Sequence, residues 1–94
     1  MPLPEPNHTP AAAAARRRRL LRLQRALTTL QGQLGAVREE TQHLVALEAR
    51  RPLTPAERTR AIHLKLEAEG LYLELQGLRA SVTETIQNGR SRSL

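Results

Sequence analysis

The side chains able to do chemistry are few, and their spacing works against most kinds of it. His8, His43 and His63 are the only imidazoles, nine glutamates are the only side-chain carboxylates, and Cys and Asp are absent. A closed metal site needs about four N, S or O ligands converging on one point. His43 and His63 fall at outward positions of two separate helical segments, with no Cys or Asp to complete a set. Glu39-Glu40 and Glu67/Glu69 read as surface charges on helices and not as an acid–base pair. No nucleophile has a base and an orienting acid at a workable spacing, and no glycine-rich phosphate loop follows a strand. The expectation is a protein that is not an enzyme, with no catalytic residue, no metal ligand and no cofactor.

One group of residues is chemically pointed. Arg16, Arg17, Arg18, Arg19, Arg22 and Arg25 account for the whole net charge of +6, because the other nine basic residues balance the nine glutamates. Such a block binds phosphates with a salt-sensitive, sequence-independent affinity. It equally suits an acidic protein or lipid surface, or a nuclear import signal. The bland reading is a solvated helix start. Positive charge near a helix N-terminus opposes the macrodipole, which favours a use for the block over mere solvation.

The order of basic block and leucine heptad is similar to that of leucine-zipper transcription factors. The likeness stops where base reading begins. Residues 11–15, just before the arginines, are all Ala, and alanine offers no bidentate contact to adenine.

The elements that must carry these residues are helices. Thr9-Pro10-Ala11 places a cap before a proline at the first helical position, where its missing N–H is no loss. Thr54-Pro55-Ala56 repeats that chemistry, and Glu57 completes a capping box. Pro52 biases Arg51 away from helical angles, and Asn88-Gly89 supplies a left-handed C-terminal cap. The spacing predicts helices over about 10–51 and 55–87, ~60 Å and ~50 Å long at ~1.5 Å per residue. Residues 1–9 read as a disordered proline-rich tail, 10–88 as a helical hairpin, and 89–94 as a disordered basic tail. Ile62-Leu64-Leu66 and Leu71-Leu73-Leu75 alternate like strands, but the intervening residues are strong helix formers and no turn separates the runs.

Each helix carries a heptad seam. The first is Leu20, Leu23, Leu27, Leu30, Leu34, Val37, Thr41 and Leu44; the second is Ala61, Leu64, Ala68, Leu71, Leu75, Leu78, Val82 and Thr85. A connection of three residues forces antiparallel neighbours. Paired from the loop outward, Leu44 with Ala61 to Leu20 with Thr85, the residue numbers of every layer add to 105. The midpoint falls in the connection itself. The fold class is all-α: an antiparallel two-helix coiled-coil hairpin, expected to complete a four-helix or larger bundle by oligomerisation.

Residues left over by this seam locate the expected partner. Ile62, Leu66 and Leu73 make a second stripe on the second helix, extended toward Tyr72 and Ile86, with Val45 and Leu47 beside the loop on the first. Burying side chains of this size is worth ~1.5–3 kcal/mol each, so an exposed set invites association. Gly70 and Gly77 either admit a close partner or simply soften the helix. The expected partner is another helical protein or a second copy, with nucleic acid or an acidic surface as the alternative at the arginine block.

Length and composition agree with a seam in place of a compact interior. The chain has 94 residues and a single aromatic ring, Tyr72. A flat seam of Leu, Val, Ala and Thr has no interior that needs larger rings. The longest apolar run is 11–15, far short of the ~20 residues of a membrane span. The expected compartment is cytoplasmic or nuclear. Mitochondrial import is the lesser alternative, raised by the absence of acidic residues over 6–38.

Overall fold

The computed structural model describes residues 9–91, with side chains through Gly89. Two helices, α1 (Pro10–Glu48) and α2 (Pro55–Ser91), make a hairpin, and no strand occurs among the described residues. Thr9 is extended at φ −73° and ψ 151°, and its hydroxyl accepts the Ala12 N–H at 3.0 Å. Pro10 follows at the first helical position, so α1 starts where its cap chemistry places it.

α1 ends a turn earlier than the proline rule requires. The N–H groups of Arg50 and Arg51 converge on the Leu47 carbonyl at 2.9 and 3.0 Å, which tightens the chain before Pro52. The connection then turns Leu53 inward against the core. At the start of α2, the Thr54 N–H donates to Glu57 Oε1 at 2.9 Å, and the Glu57 N–H donates to Thr54 Oγ1 at 3.2 Å. Both halves of the capping box are therefore made. Arg51 adds two donations to the Glu57 carboxylate, at 2.8 and 3.0 Å, tying the end of one helix to the start of the other.

The far end of α2 differs from expectation. The helix runs through Asn88 and Gly89 to Ser91, and no described residue has a positive φ. Gly89 is thus not a left-handed cap. A Cβ there would lie 3.3 Å from Nε of Arg16, so the Arg16 side chain packs directly over the glycine. The tail expected at 89–94 is helical over 89–91, while 92–94 and the N-terminal tail over 1–8 lie outside the described residues.

The core is one stripe from each helix. Leu30, Leu34, Val37 and Leu44 of α1 are buried with Leu64, Leu71 and Leu75 of α2, and Leu27, Ala61, Ala68 and Leu78 pack around them. All are seam positions. Burial thins toward the open end, where Leu20, Leu23 and Val82 are only half-buried. The two seam threonines satisfy their own hydroxyls. Thr41 donates to the Val37 carbonyl and Thr85 to the Ser81 carbonyl, both at 2.8 Å, a back-bond that spares a polar atom from needing a partner in the other helix.

Candidate partner-binding face

Two cross-helix pairs define the edges that flank the seam. On one edge, Nη2 of Arg38 donates to the Tyr72 hydroxyl, and the guanidinium carbon lies 5.6 Å from the ring centroid. On the other, Arg60 donates to Glu40 through Nε and Nη2, each at 2.7 Å. The carboxyl of Glu40 is held below its ordinary value by the hydrogen-bonded Arg60, and Arg60 is raised in turn by Glu40. Arg38 and Tyr72 follow a seam residue on their helices, whereas Glu40 and Arg60 precede one. An antiparallel pair brings like flanks together in this way. Arg16 against Gly89 at the open end carries the same register, since their numbers also add to 105.

These edges are chemically unlike. The exposed large apolar side chains are Leu21, Val45, Ile62, Leu66, Tyr72, Leu73 and Ile86. On the helical wheel all of them fall between the Tyr72 edge and the outer faces, and none on the Glu40 edge. The Tyr72 edge also carries Arg38, Lys65 and Arg79, with Glu69 as its acidic neighbour. The Glu40 edge carries Glu67 and Glu74 beside the Glu40–Arg60 pair. One side of the hairpin is apolar and basic; the other is polar and more acidic.

The expected second stripe is exposed almost throughout. Ile62 is 61% exposed, Leu66 60%, Leu73 69% and Val45 63%, while Tyr72 and Ile86 are near 40%. Leu47 is the correction. It is half-buried and, like Leu53, packs against the core. Leu21, which sequence reasoning passed over, is 54% exposed. Its position beside the seam residue Leu20 was the available signal.

Where α2 contributes small residues to the seam, the Tyr72 edge opens into a trough of about 620 Å³. Its floor is Val37, Ala61, Leu64 and Ala68, and Thr41 and Lys65 stand on its rim. Small residues leave the trough: Ala61 and Ala68 do not fill the space beside Val37 and Thr41.

The arginine block divides. Arg17, Arg18, Arg19, Arg22 and Arg25 are exposed, and no ion pair with a carboxylate forms at any of the five among the described residues. Arg18, Arg22 and Arg25, spaced four and three apart, share the outer face of α1. Arg16 is separate: it is half-buried across Gly89 and lines a small cleft with Arg19, Glu84 and Asn88.

His43 and His63 are exposed. Among the described residues no three of His, Cys, Asp or Glu come together as metal ligands, and no helix is long and apolar enough to cross a membrane. Comparison with protein families, curated proteins and solved structures gave no match for this chain.

Proposed function

We propose that this chain is a non-enzymatic coiled-coil scaffold or adaptor subunit that mediates protein–protein assembly, completing a four-helix or larger bundle with a helical partner. The observation that carries the reading is the exposure of Val45, Ile62, Leu66, Tyr72, Leu73 and Ile86 along the Tyr72 edge and the outer face of α2. A hairpin buries one stripe per helix and leaves the rest of each helix in water. Six large apolar side chains spread over that edge and face are then a surface whose burial against another helix is favourable.

Affinity capture and sedimentation of the wild-type chain against Leu66→Glu/Leu73→Glu test the reading. Association lost in the double variant, with helicity kept, supports assembly through this side. A helical monomer that captures the same partners with both leucines replaced contradicts it.

A second reading rests on a separate observation, the five exposed arginines that make no carboxylate ion pair among the described residues. In that reading the open end binds nucleic acid or another polyanion through its phosphates. The lone aromatic ring, Tyr72, lies on the loop-proximal half of the rod. The open end therefore offers no stacking platform for unpaired bases, and a duplex backbone is the better-matched polyanion.

A further inference from the structure

The trough beside Tyr72 has walls from both helices, an apolar floor and a basic rim, and its occupant follows from those three properties. It runs along α1 from Leu34 to Gln42 and along α2 from Ala61 to Tyr72, roughly 12–17 Å at ~1.5 Å per residue. That length accepts two to three turns of a helix laid along the hairpin, whose anchors recur at i, i+3 or i+4, and i+7. The rim charges are Arg38 and Lys65, with Glu69 opposing them, and Arg79 continues the basic edge toward the open end.

We propose that the trough seats a third helix from a partner protein, amphipathic, with its apolar stripe flanked by carboxylates. A second copy of this chain is a poor occupant from either edge. Docked through its own Tyr72 edge, it sets Arg38, Lys65 and Arg79 against the same residues, and like charges across an interface oppose association. Docked through its Glu40 edge, it brings the right charge but no protruding apolar side chain to fill the floor, since Leu47 is already turned against the core. Docked through the outer face of its α2, it brings Leu66 and Leu73 but flanks them with Lys65 and Arg79 on one side. A foreign helix with leucines flanked by glutamates on both sides supplies both. The Arg38–Tyr72 pair stands at the end of the trough nearer the open tip, where it sets how far along the rod the third helix reaches.

The proposal rests on the assembly reading and adds to it the partner's chemistry and its seat. Tyr72 is the one aromatic residue of the chain, so its fluorescence reports directly on the trough. Two synthetic helical peptides of about three heptads, without Tyr or Trp, serve as probes: a leucine stripe flanked by glutamates, and the same stripe flanked by lysines. The full chain should bind the first peptide one to one and about tenfold or more tighter than the second at low salt, with the preference shrinking as salt rises. Thr41→Leu fills the trough and keeps the seam, and Lys65→Glu inverts the rim; each should weaken the first peptide about tenfold.

Equal affinity for both peptides, or none for either, overturns the proposal. A dimer of the chain that Thr41→Leu dissociates also overturns it, by giving the trough to a second copy. If Leu66→Glu/Leu73→Glu abolishes association with captured partners while Thr41→Leu and Lys65→Glu leave both partners and peptides bound as before, the assembly reading stands and the trough proposal falls.

Discussion

Arg38 of α1 bonds to the hydroxyl of Tyr72 in α2 with its guanidinium 5.6 Å from the ring centroid, so a cation and the chain's one aromatic ring strap the helices together on one edge. The strap is exposed, and solvent screens it. Exposed cation–π contacts are worth about 0.5–1 kcal/mol. Arg38→Ala should lower unfolding stability by about that amount, and Tyr72→Phe by less, because the ring remains. Urea titrations followed by circular dichroism measure both. Equal losses in the two variants would assign the whole effect to the hydrogen bond.

The connection has a pH-sensitive fastening. Glu57 is held down to about 2 from an ordinary 4.5, first by the two Arg51 donors and then by the Thr54 backbone N–H. A carboxyl with a depressed folded-state value binds fewer protons folded than unfolded. Its contribution is therefore complete above pH 4.5 and is lost as pH falls toward about 2. Glu57→Gln should be less stable than wild type at neutral pH and indistinguishable from it near pH 2. Thermal melts of both across pH 2–7 check this; a constant offset between the curves would mean that Glu57 acts through packing alone. Thr54→Ala removes the other half of the box and should cost about 1 kcal/mol at neutral pH.

Two leucines only two residues apart should behave oppositely. Leu64 is 1% exposed at the centre of the seam, and Leu66 is 60% exposed on the outer side. A buried Leu→Ala change costs about 2–5 kcal/mol, a large share of what a two-helix protein can spare, so Leu64→Ala should melt far lower or fail to fold. Leu66→Ala should change stability by no more than about 0.5 kcal/mol. Comparable losses in the two would show that Leu66 is already buried in solution, against a copy of the chain.

That contrast was legible before any coordinates, because a period of three and four residues sorts Leu64 inward and Leu66 outward. The cap residues Thr9 and Thr54, the antiparallel register and the exposure of Ile62, Leu66 and Leu73 follow from local chemistry and heptad arithmetic in the same way. Leu47 did not follow, since heptad position alone leaves it on an edge, whereas it packs against the core as Leu53 does. Gly89 did not follow either: the cap signal is local, whereas the helix continues through Gly89 to Ser91 with the Arg16 side chain packed over the glycine. The trough was half visible in the large-against-small layers, but the basic edge beside it appears only when both helices are placed together.

Gly70 and Gly77 give a prediction with two readouts. A Cβ added at either position meets nothing within 4 Å, so the hairpin itself has no steric need of them. Glycine in a helix interior costs about 0.5–1 kcal/mol relative to Ala. Gly70→Ala and Gly77→Ala should each raise the stability of the isolated chain by about that much in chemical denaturation. If they also weaken association with a captured partner, the glycines serve close approach by that partner; unchanged association leaves them as softening residues only.

The outer face of α1 gives the last prediction, which tests the polyanion reading. Arg18, Arg22 and Arg25 share that face and make no carboxylate ion pair among the described residues, so their charge is available to phosphates. Each phosphate neutralised on a duplex contributes about −0.9 to the slope of log affinity against log salt. Arg18→Gln/Arg22→Gln/Arg25→Gln should therefore flatten that slope by about 2.7 if all three contact the backbone. It should do so for every duplex sequence alike, because phosphate contacts carry no base information. Fluorescence anisotropy with two unrelated duplexes across a salt series measures both quantities. A triple variant whose slope equals that of wild type removes this face from any nucleic-acid role, and a loss confined to one duplex would mean base reading that these side chains do not explain.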